Sequence, residues 1–175
     1  MSREPDFRAA AVVRVAEEMA LAARTAPKAK GIDLLEVAVL QGDDIQKLSA
    51  AMRAIGEREN HPTFLRDCEN VKVAQAVLLI GTKKKTIGLR YCSFCGQPDC
   101  AAAEKNSVNC IFNSGDLGIA VGSAVSVAAD RRVDNRIMYT AGKAALEMKL
   151  LGPEVAIAFG IPLAVSSKNP FFDRK

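Results

Sequence analysis

Apolar positions recur along the chain at spacings that predict alternating helices and strands. Residues 7–23 are mostly apolar and rich in alanine, with a narrow polar stripe, which predicts a well-packed helix. The apolar run 34–40, bounded by glycines, has the length of a strand. Apolar residues at three- and four-residue steps then predict a second helix, capped by Asp43 or Asp44. Its inner face is formed by Ile45, Leu48, Met52 and Ile55.

The middle of the chain is predicted to contain a hairpin. A short helix is expected at 63–71, and the strongest strand signal follows at 73–80. Residues 81–85, a glycine, a threonine and three lysines, are typical of an exposed turn. Residues 86–91 are predicted to return as a second strand that leads directly into the first of several clustered cysteines.

The last third of the chain is predicted to hold two helices and a strand. Asn113 and Asp116 resemble a capped start of a helix rich in small residues over 116–129. A final helix is expected at 134–151 and a buried strand at 155–163, where Pro162 indicates a sheet edge or strand end. Together these elements predict an α+β fold, a three-layer helix/sheet sandwich. We expect one domain over residues 1–175, with a cysteine-rich insert at 92–110.

Composition and charge narrow the class of protein. The 175 residues are 49% apolar and 25% charged, as in soluble globular proteins. A net charge of +4 is too small for the concentrated basic face of a nucleic-acid binder, and a single histidine excludes sites built on several histidines. No apolar run approaches the roughly 18 residues of a membrane span, and the first residues lack a signal-peptide pattern. We therefore expect a cytoplasmic protein.

Four of the five cysteines lie within 19 residues, and this cluster carries the strongest chemical signal. Cys92, Cys95, Cys100 and Cys110 follow the spacing C-x2-C-x4-C-x9-C, which allows four thiolates to converge. Tetrahedral Zn²⁺, a [4Fe–4S] cluster and bare redox thiols are all compatible with four such thiols. The single short knuckle favours the cluster, because structural zinc sites usually pair two knuckles. Cys68 lies apart and is predicted to be a partly buried free thiol.

Longer motifs resemble a known family. The chain is similar to the uncharacterised family described as ferredoxin-domain-containing proteins, over about residues 6–174. The segments that carry the resemblance are FLRD (64–67) with Asn70, VLLIG (77–81), the cysteine run, DLGIAVGSA (116–124), VDNRIMY (133–139), GIPL (160–163) and SKNPFFDR (167–174). Residues 92–100 also resemble the four-cysteine iron–sulfur domain of membrane electron-transport complexes and corrinoid proteins. This resemblance implies a [4Fe–4S] cluster on Cys92, Cys95, Cys100 and Cys110, although the gap before Cys110 is shorter than usual in that domain.

A weaker similarity is to the flavin-dependent nitroreductases. A helix ending in ARTAPKAK (23–30), followed by a strand, a capped helix, a small-residue helix and a Gly-Ile-Pro strand end, resembles the order of that core. The similarity implies a nitroreductase-like sandwich, a homodimer and an FMN site. Arg24, Lys28 and Lys30 are the candidates to hold the flavin phosphate by charge, and an exposed basic loop is the alternative.

Three functions follow from these patterns. The first is an iron–sulfur protein that passes electrons to a partner protein or to a flavin. The second is a zinc-stapled structural or interaction module without catalytic activity, and the third is a flavoenzyme with the cluster as a relay. The sequence contains no Walker loop, Gly-x-Gly-x-x-Gly motif or serine–histidine arrangement, so kinase, dinucleotide-dehydrogenase and hydrolase functions have no support.

Overall fold

The computed structural model describes residues 1–172, in which six α-helices pack around one antiparallel sheet with the strand order β1-β2-β4-β3. Asp173 and Arg174, which end the last family-like segment, lie outside the described residues. The helices are α1 (Glu4–Thr25), α2 (Asp43–Arg58), α3 (Pro62–Lys72), α4 (Cys100–Lys105), α5 (Ile111–Asp130) and α6 (Tyr139–Glu147). The strands are β1 (Leu35–Leu40), β2 (Ala76–Lys83), β3 (Asp134–Asn135) and β4 (Val155–Ala164).

Strand β2 lies at the centre of the molecule and is buried on both faces. Because side chains alternate along a strand, Val77 and Leu79 enter one hydrophobic core, whereas Leu78 and Ile80 enter another. The first core includes residues of α2, α3 and α6, and the second includes residues of α1 and α5. This arrangement confirms the predicted α+β class and three-layer sandwich.

Strand β4 accommodates Pro162 without losing a ladder hydrogen bond to β2. Gly160 and Met138 exchange hydrogen bonds of 3.0 and 2.8 Å on the side of β4 away from β2. Pro162 lies two residues further along, so its ring nitrogen faces the same way, and β3 pairs only with Leu163 and Ala164. The missing N–H therefore falls beside the sparsely paired edge, near the expected strand end.

The predicted hairpin at 73–91 is wrong. Strand β2 continues through Gly81 to Lys83 and pairs with β1 and β4, whereas residues 86–91 form no strand. Gly81 serves close packing here, because a Cβ atom would lie 2.6 Å from Val155 Cγ1 and 2.9 Å from Leu151 Cδ1. Gly81, which resembled a turn residue, is thus the position at which β2 packs closely against Val155 and Leu151.

Three element boundaries also differ from the predictions. Helix α2 has Gly42 at its N-cap, without a side-chain cap from either aspartate. Helix α5 begins five residues earlier than expected, because Asp116 accepts a hydrogen bond from the Ala29 backbone N–H at 2.9 Å instead of capping the helix. The predicted helix 134–151 is reduced to α6, since the bonds between Met138 and Gly160 keep the preceding backbone extended.

Helix α5 is the one helix of residues 1–172 whose length and apolar composition would also suit a membrane span. In this fold it packs against α1, where the Ser123 hydroxyl donates to the Ala22 carbonyl at 3.0 Å. Leu117, Ala120 and Ala124 are buried in the second core. The opposite side is solvent-exposed and is called the exposed α5 face below. It consists of Gly115, Gly118, Ile119, Gly122 and Ser126.

Candidate metal centre

All four clustered cysteines line one cavity of about 310 Å³. The cavity is formed mainly by the segment 84–110, which connects the end of β2 to the start of α5, and it also includes Ile111 and Phe112. Each of these cysteines is half-buried, and none forms a disulfide. All four predicted ligands thus line the same cavity, and the site and the metal that they would bind stay a prediction.

The four cysteines occupy two kinds of backbone. Cys92 and Cys95 lie on irregular loop, Cys100 is the first residue of α4, and Cys110 is the N-cap of α5. The first N–H groups of a helix have no partner within it and carry partial positive charge. With its 20 residues, α5 thus favours a negatively charged group beside Cys110.

Left-handed residues bend the loop around the first two cysteines. Gly88, Tyr91, Ser93 and Gly96 have φ values of 70°, 54°, 55° and 80°. At Tyr91 and Ser93, on either side of Cys92, such a backbone costs about 1–3 kcal/mol each unless the surroundings compensate. Left-handed residues alternating with others form concave backbone nests of N–H groups, which recur at phosphate and iron–sulfur sites.

Short-range hydrogen bonds fix the rest of the loop. The Ser93 hydroxyl donates to the Pro98 carbonyl at 3.0 Å, and the Asn106 amide donates to Gln97 Oε1 at 2.8 Å. Asp99 caps α4 by accepting from the Ala102 N–H at 2.8 Å. These contacts define where Cys95 and Cys100 lie along the cavity wall.

Asn113 closes the base of the cysteine-bearing segment. Its side chain is buried, and its Nδ2 donates to the carbonyls of Lys83 at 3.1 Å and Lys85 at 2.5 Å. The end of β2 and the first turn of α5 are thereby held together. Sequence analysis read Asn113 as the start of a helix, and nothing in the sequence pattern indicated this contact.

The residues present fit a polynuclear cluster. Within residues 1–172 no three His, Cys, Asp or Glu side chains are close enough together to bind one ion as they stand. The four cysteines instead surround a cavity whose volume suits a group of several atoms. In a [4Fe–4S] cluster each cysteine thiolate binds its own iron, so the four sulfurs need not meet at one point.

The three basic residues predicted to bind a flavin phosphate do not form one free site. Arg24 donates to Asp33 Oδ2 at 2.7 Å and to the Leu35 carbonyl at 3.0 Å. Lys28, whose side chain is 6% exposed, donates to carbonyls at the end of α1, including that of Ala26 at 2.7 Å. Lys30 lies against the cysteine-bearing segment, with Nζ 3.4 Å from the Ile87 carbonyl. Flavin binding by these residues stays a prediction, and Arg24 and Lys28 have structural contacts.

Asp33, which contacts Arg24, and Cys68, on α3, have shifted pKa values. Burial alone would raise the pKa of Asp33, but hydrogen bonds from Arg24 and the Leu35 N–H, with the positive charges of Arg24 and Lys28, hold it below its usual value. Burial raises the pKa of the Cys68 thiol. Cys68 is fully buried on α3, where its Sγ donates to the Leu65 carbonyl at 3.1 Å, and it lies outside the cavity.

Solved structures with a similar fold are flavoproteins. An FMN-dependent nitroreductase from Clostridium difficile R20291 superposes with a TM-score of 0.57 at 16% identity, over 89% of this chain and 76% of that chain. A BluB-like flavoprotein from Clostridium difficile 630 has the same TM-score and identity, over 89% of this chain and 81% of that chain. At such identity the likeness concerns the fold, which is nitroreductase-like.

Sequence relatives establish the family. A protein of Archaeoglobus fulgidus, described as an uncharacterized protein, is 41% identical over 98% of this chain and 96% of its own length. The family model "Uncharacterized protein containing a ferredoxin domain (DUF2148)" matches residues 106–174, which include Cys110 but not the other three clustered cysteines. The family description points to iron–sulfur electron transfer. The chain belongs to this family of proteins containing a ferredoxin domain.

Proposed function

We propose that this protein is an electron carrier that holds a [4Fe–4S] cluster on Cys92, Cys95, Cys100 and Cys110. The observation that carries the proposal is that all four cysteines line one cavity of about 310 Å³. When bound, such a cluster supplies reversible one-electron transfer, with a potential tuned by charge, hydrogen bonds and solvent exposure.

The backbone around the cavity supports an anionic group. A cluster ligated by four thiolates is negatively charged, and the start of α5 next to Cys110 favours negative charge. The left-handed residues on both sides of Cys92 produce the kind of concave backbone that presents N–H groups to cluster sulfurs. The half-buried state of the cysteines would limit, but not abolish, contact of the cluster with water.

A zinc-stapled structural module is the competing function. Zinc binds sulfur at about 2.3 Å, so a tetrahedral site draws four sulfurs to within about 3.8 Å of each other. Cys92 and Cys95 are near in sequence, whereas Cys100 and Cys110 begin two separate helices. In a [4Fe–4S] cluster each thiolate binds its own iron, so the four sulfurs need not converge on one ion, and we therefore favour the cluster.

Metal analysis of protein prepared without air tests the proposal. We expect about four iron and four acid-labile sulfide per chain, and loss of both in Cys95→Ser. Cys68→Ala is the matched control, because Cys68 lies outside the cavity, and it should keep the full iron content. One zinc per chain without sulfide in the anaerobic preparation would overturn the cluster and support the structural module.

Flavin binding is a second candidate, supported by the nitroreductase-like fold. Arg24 and Lys28 already contact Asp33 and the end of α1, so Lys30 is the predicted cation with the fewest competing contacts. Titration with FMN, followed by flavin fluorescence, should show saturable binding that Lys30→Gln weakens. Absence of binding at tens of micromolar FMN would remove the flavin from the proposal and leave the electron carrier.

We further propose a cytoplasmic homodimer that passes electrons to a partner protein. The exposed α5 face is apolar and small enough to allow a close helix approach, which suits a symmetric contact between two copies. Sedimentation of the wild type and of Gly118→Arg tests the dimer, because a Cβ at position 118 meets nothing within one chain. A dimer that survives Gly118→Arg would rule out this face.

A further inference from the structure

The segment that carries the cysteines has a net positive charge, and its cations have no ion-pair partner within residues 1–172. Between residues 84 and 110 it has four cationic and two anionic side chains, in a chain whose net charge is +4. The cations Lys84, Lys85, Arg90 and Lys105 are all exposed. None of them has an ion-pair partner within residues 1–172, whereas Lys83 next to them pairs with Glu36 at 2.8 Å.

The two anionic side chains of this segment are engaged locally. Asp99 accepts from the Ala102 N–H at the start of α4, and Glu104 accepts from the Thr86 hydroxyl at 2.5 Å. Neither carboxylate lies within ion-pair distance of these cations, although Glu104 lines a pocket with Lys84 and Lys85, so the positive charge of the segment is only partly offset. In a solvent-exposed region such uncompensated charge produces a potential that attracts negatively charged partners.

Two aromatic side chains of the same segment are exposed. Tyr91 is fully exposed at 107% and Phe94 is 76% exposed, with Phe94 stacked on Phe112 at 6.3 Å between ring centroids. Tyr91 directly precedes Cys92 and Phe94 directly precedes Cys95, and Arg90 and Tyr91 line the cysteine cavity itself. Exposed aromatic and arginine side chains are enriched in the contact surfaces of protein complexes, where they supply much of the binding energy.

We propose that this surface docks a small acidic electron-carrier protein, the partner with which the cluster exchanges electrons. The surface, called the basic face, consists of Lys84, Lys85, Arg90, Tyr91, Phe94 and Lys105. It rests on the proposed electron-carrier function, since the partner's redox group would come to lie over the cysteine cavity. Charge complementarity steers the encounter, and the aromatic side chains give a short-lived apolar contact of the kind that small redox interfaces use.

The test measures binding rather than turnover. Binding to the anaerobically purified protein is measured by isothermal titration calorimetry. A plant-type [2Fe–2S] ferredoxin is the acidic probe, and a basic cytochrome c is the comparison. We expect the ferredoxin to bind at low ionic strength, with an affinity that falls about tenfold or more between 20 and 200 mM salt, on the order of the screening expected for exposed charges. The cytochrome should not bind.

Matched triple variants locate the contact. Lys84→Gln with Lys85→Gln and Arg90→Gln should weaken ferredoxin binding about tenfold, as expected when steering charges are removed. Lys72→Gln with Lys168→Gln and Arg14→Gln removes the same charge from exposed positions elsewhere and should leave binding within twofold. Equal weakening in both triples, or equal binding of heparin and ferredoxin, would overturn a docking surface in favour of nonspecific attraction. Iron content, measured on the same samples, reports on the cluster separately, so a normal cluster with unchanged binding in the first triple refutes only the docking surface.

Discussion

Replacement of Gly142 by alanine should separate the close approach of α6 and β4 from ordinary helix stability. A Cβ atom at position 142 would lie 1.9 Å from the Ala158 carbonyl oxygen, 2.4 Å from its carbon and 2.8 Å from Phe159 Cα. All three are backbone atoms of β4, which is held by β2 on one side and by Met138 on the other. The strand cannot retreat, so α6 has to move outward by about 1.5 Å to regain an ordinary contact distance of about 3.5 Å.

The size of the effect follows from two opposing contributions. Moving α6 loosens Ala141, Ala144 and Ala145, all fully buried, and overpacking of this kind costs about 3 kcal/mol at the upper end of its range. Alanine gains about 1 kcal/mol over glycine in a helix. The net loss of unfolding free energy is about 2 kcal/mol, which lowers Tm by about 4–8 °C in a chain of this length.

Gly118→Ala is the matched control. Gly118 lies on the exposed α5 face, where an added Cβ meets nothing within 4 Å in its own chain, so the helix gain of about 1 kcal/mol is the only change expected within one chain. Thermal melts of metal-free, reduced protein, followed by far-UV circular dichroism at two protein concentrations, should place Gly142→Ala below and Gly118→Ala at or above the wild type. Comparison of the two protein concentrations separates any effect on the proposed dimer. Equal melting temperatures for Gly142→Ala and the wild type would refute the proposed close approach.

Three further predictions concern single contacts. Thr140→Val should lower the unfolding free energy by about 1.5–3 kcal/mol in urea titrations, because the buried Asp67 carboxylate loses the 2.7 Å hydrogen bond from the Thr140 hydroxyl. Thr63→Val, at a half-buried position, is the control and should change the unfolding free energy far less. Asp33→Asn should lower stability by up to about 1 kcal/mol at pH 7. Since the folded pKa of Asp33 is lowered, that difference is present above the unfolded value near 4 and should be lost as the pH falls through the folded pKa. A difference that does not shrink as the pH is lowered contradicts the assignment. In metal-free native protein, iodoacetamide should alkylate the four half-buried cysteines of the cavity quickly and Cys68 only after unfolding, because Cys68 is buried and its pKa is raised. Mass spectrometry of the labelled peptides checks the order, and rapid labelling of Cys68 would contradict its burial.

The sequence predicts those features of the fold that depend on local periodicity. Helix α2 follows from apolar residues at three- and four-residue steps, and all four predicted inner residues are buried. The hairpin fails because Gly81, followed by polar residues, has the composition of a turn, whereas its role depends on Val155 and Leu151, distant in sequence. The prediction of a helix over 134–151 is too long for the same reason, since hydrogen bonds with Gly160 hold Met138 extended.

The candidate site divides in the same way. The spacing of Cys92, Cys95, Cys100 and Cys110 is a local property, and the four cysteines from which a shared site is predicted line one cavity. The contact of Lys30 is a tertiary property, because its Nζ lies 3.4 Å from the carbonyl of Ile87, 57 residues further along the chain. The sequence of a loop alone does not indicate which distant group its basic residue will contact.

The contact made by Asn113 has a consequence for engineering. Because its amide joins the end of β2 to the first turn of α5, the 27 residues from 84 to 110 leave and re-enter the sandwich at nearly the same point. Closing such a gap with a few glycines and serines adds little loop entropy. The sandwich should therefore fold without residues 84–110, and this segment is a candidate for transfer to another scaffold in which the ends of a strand and a helix lie equally close together.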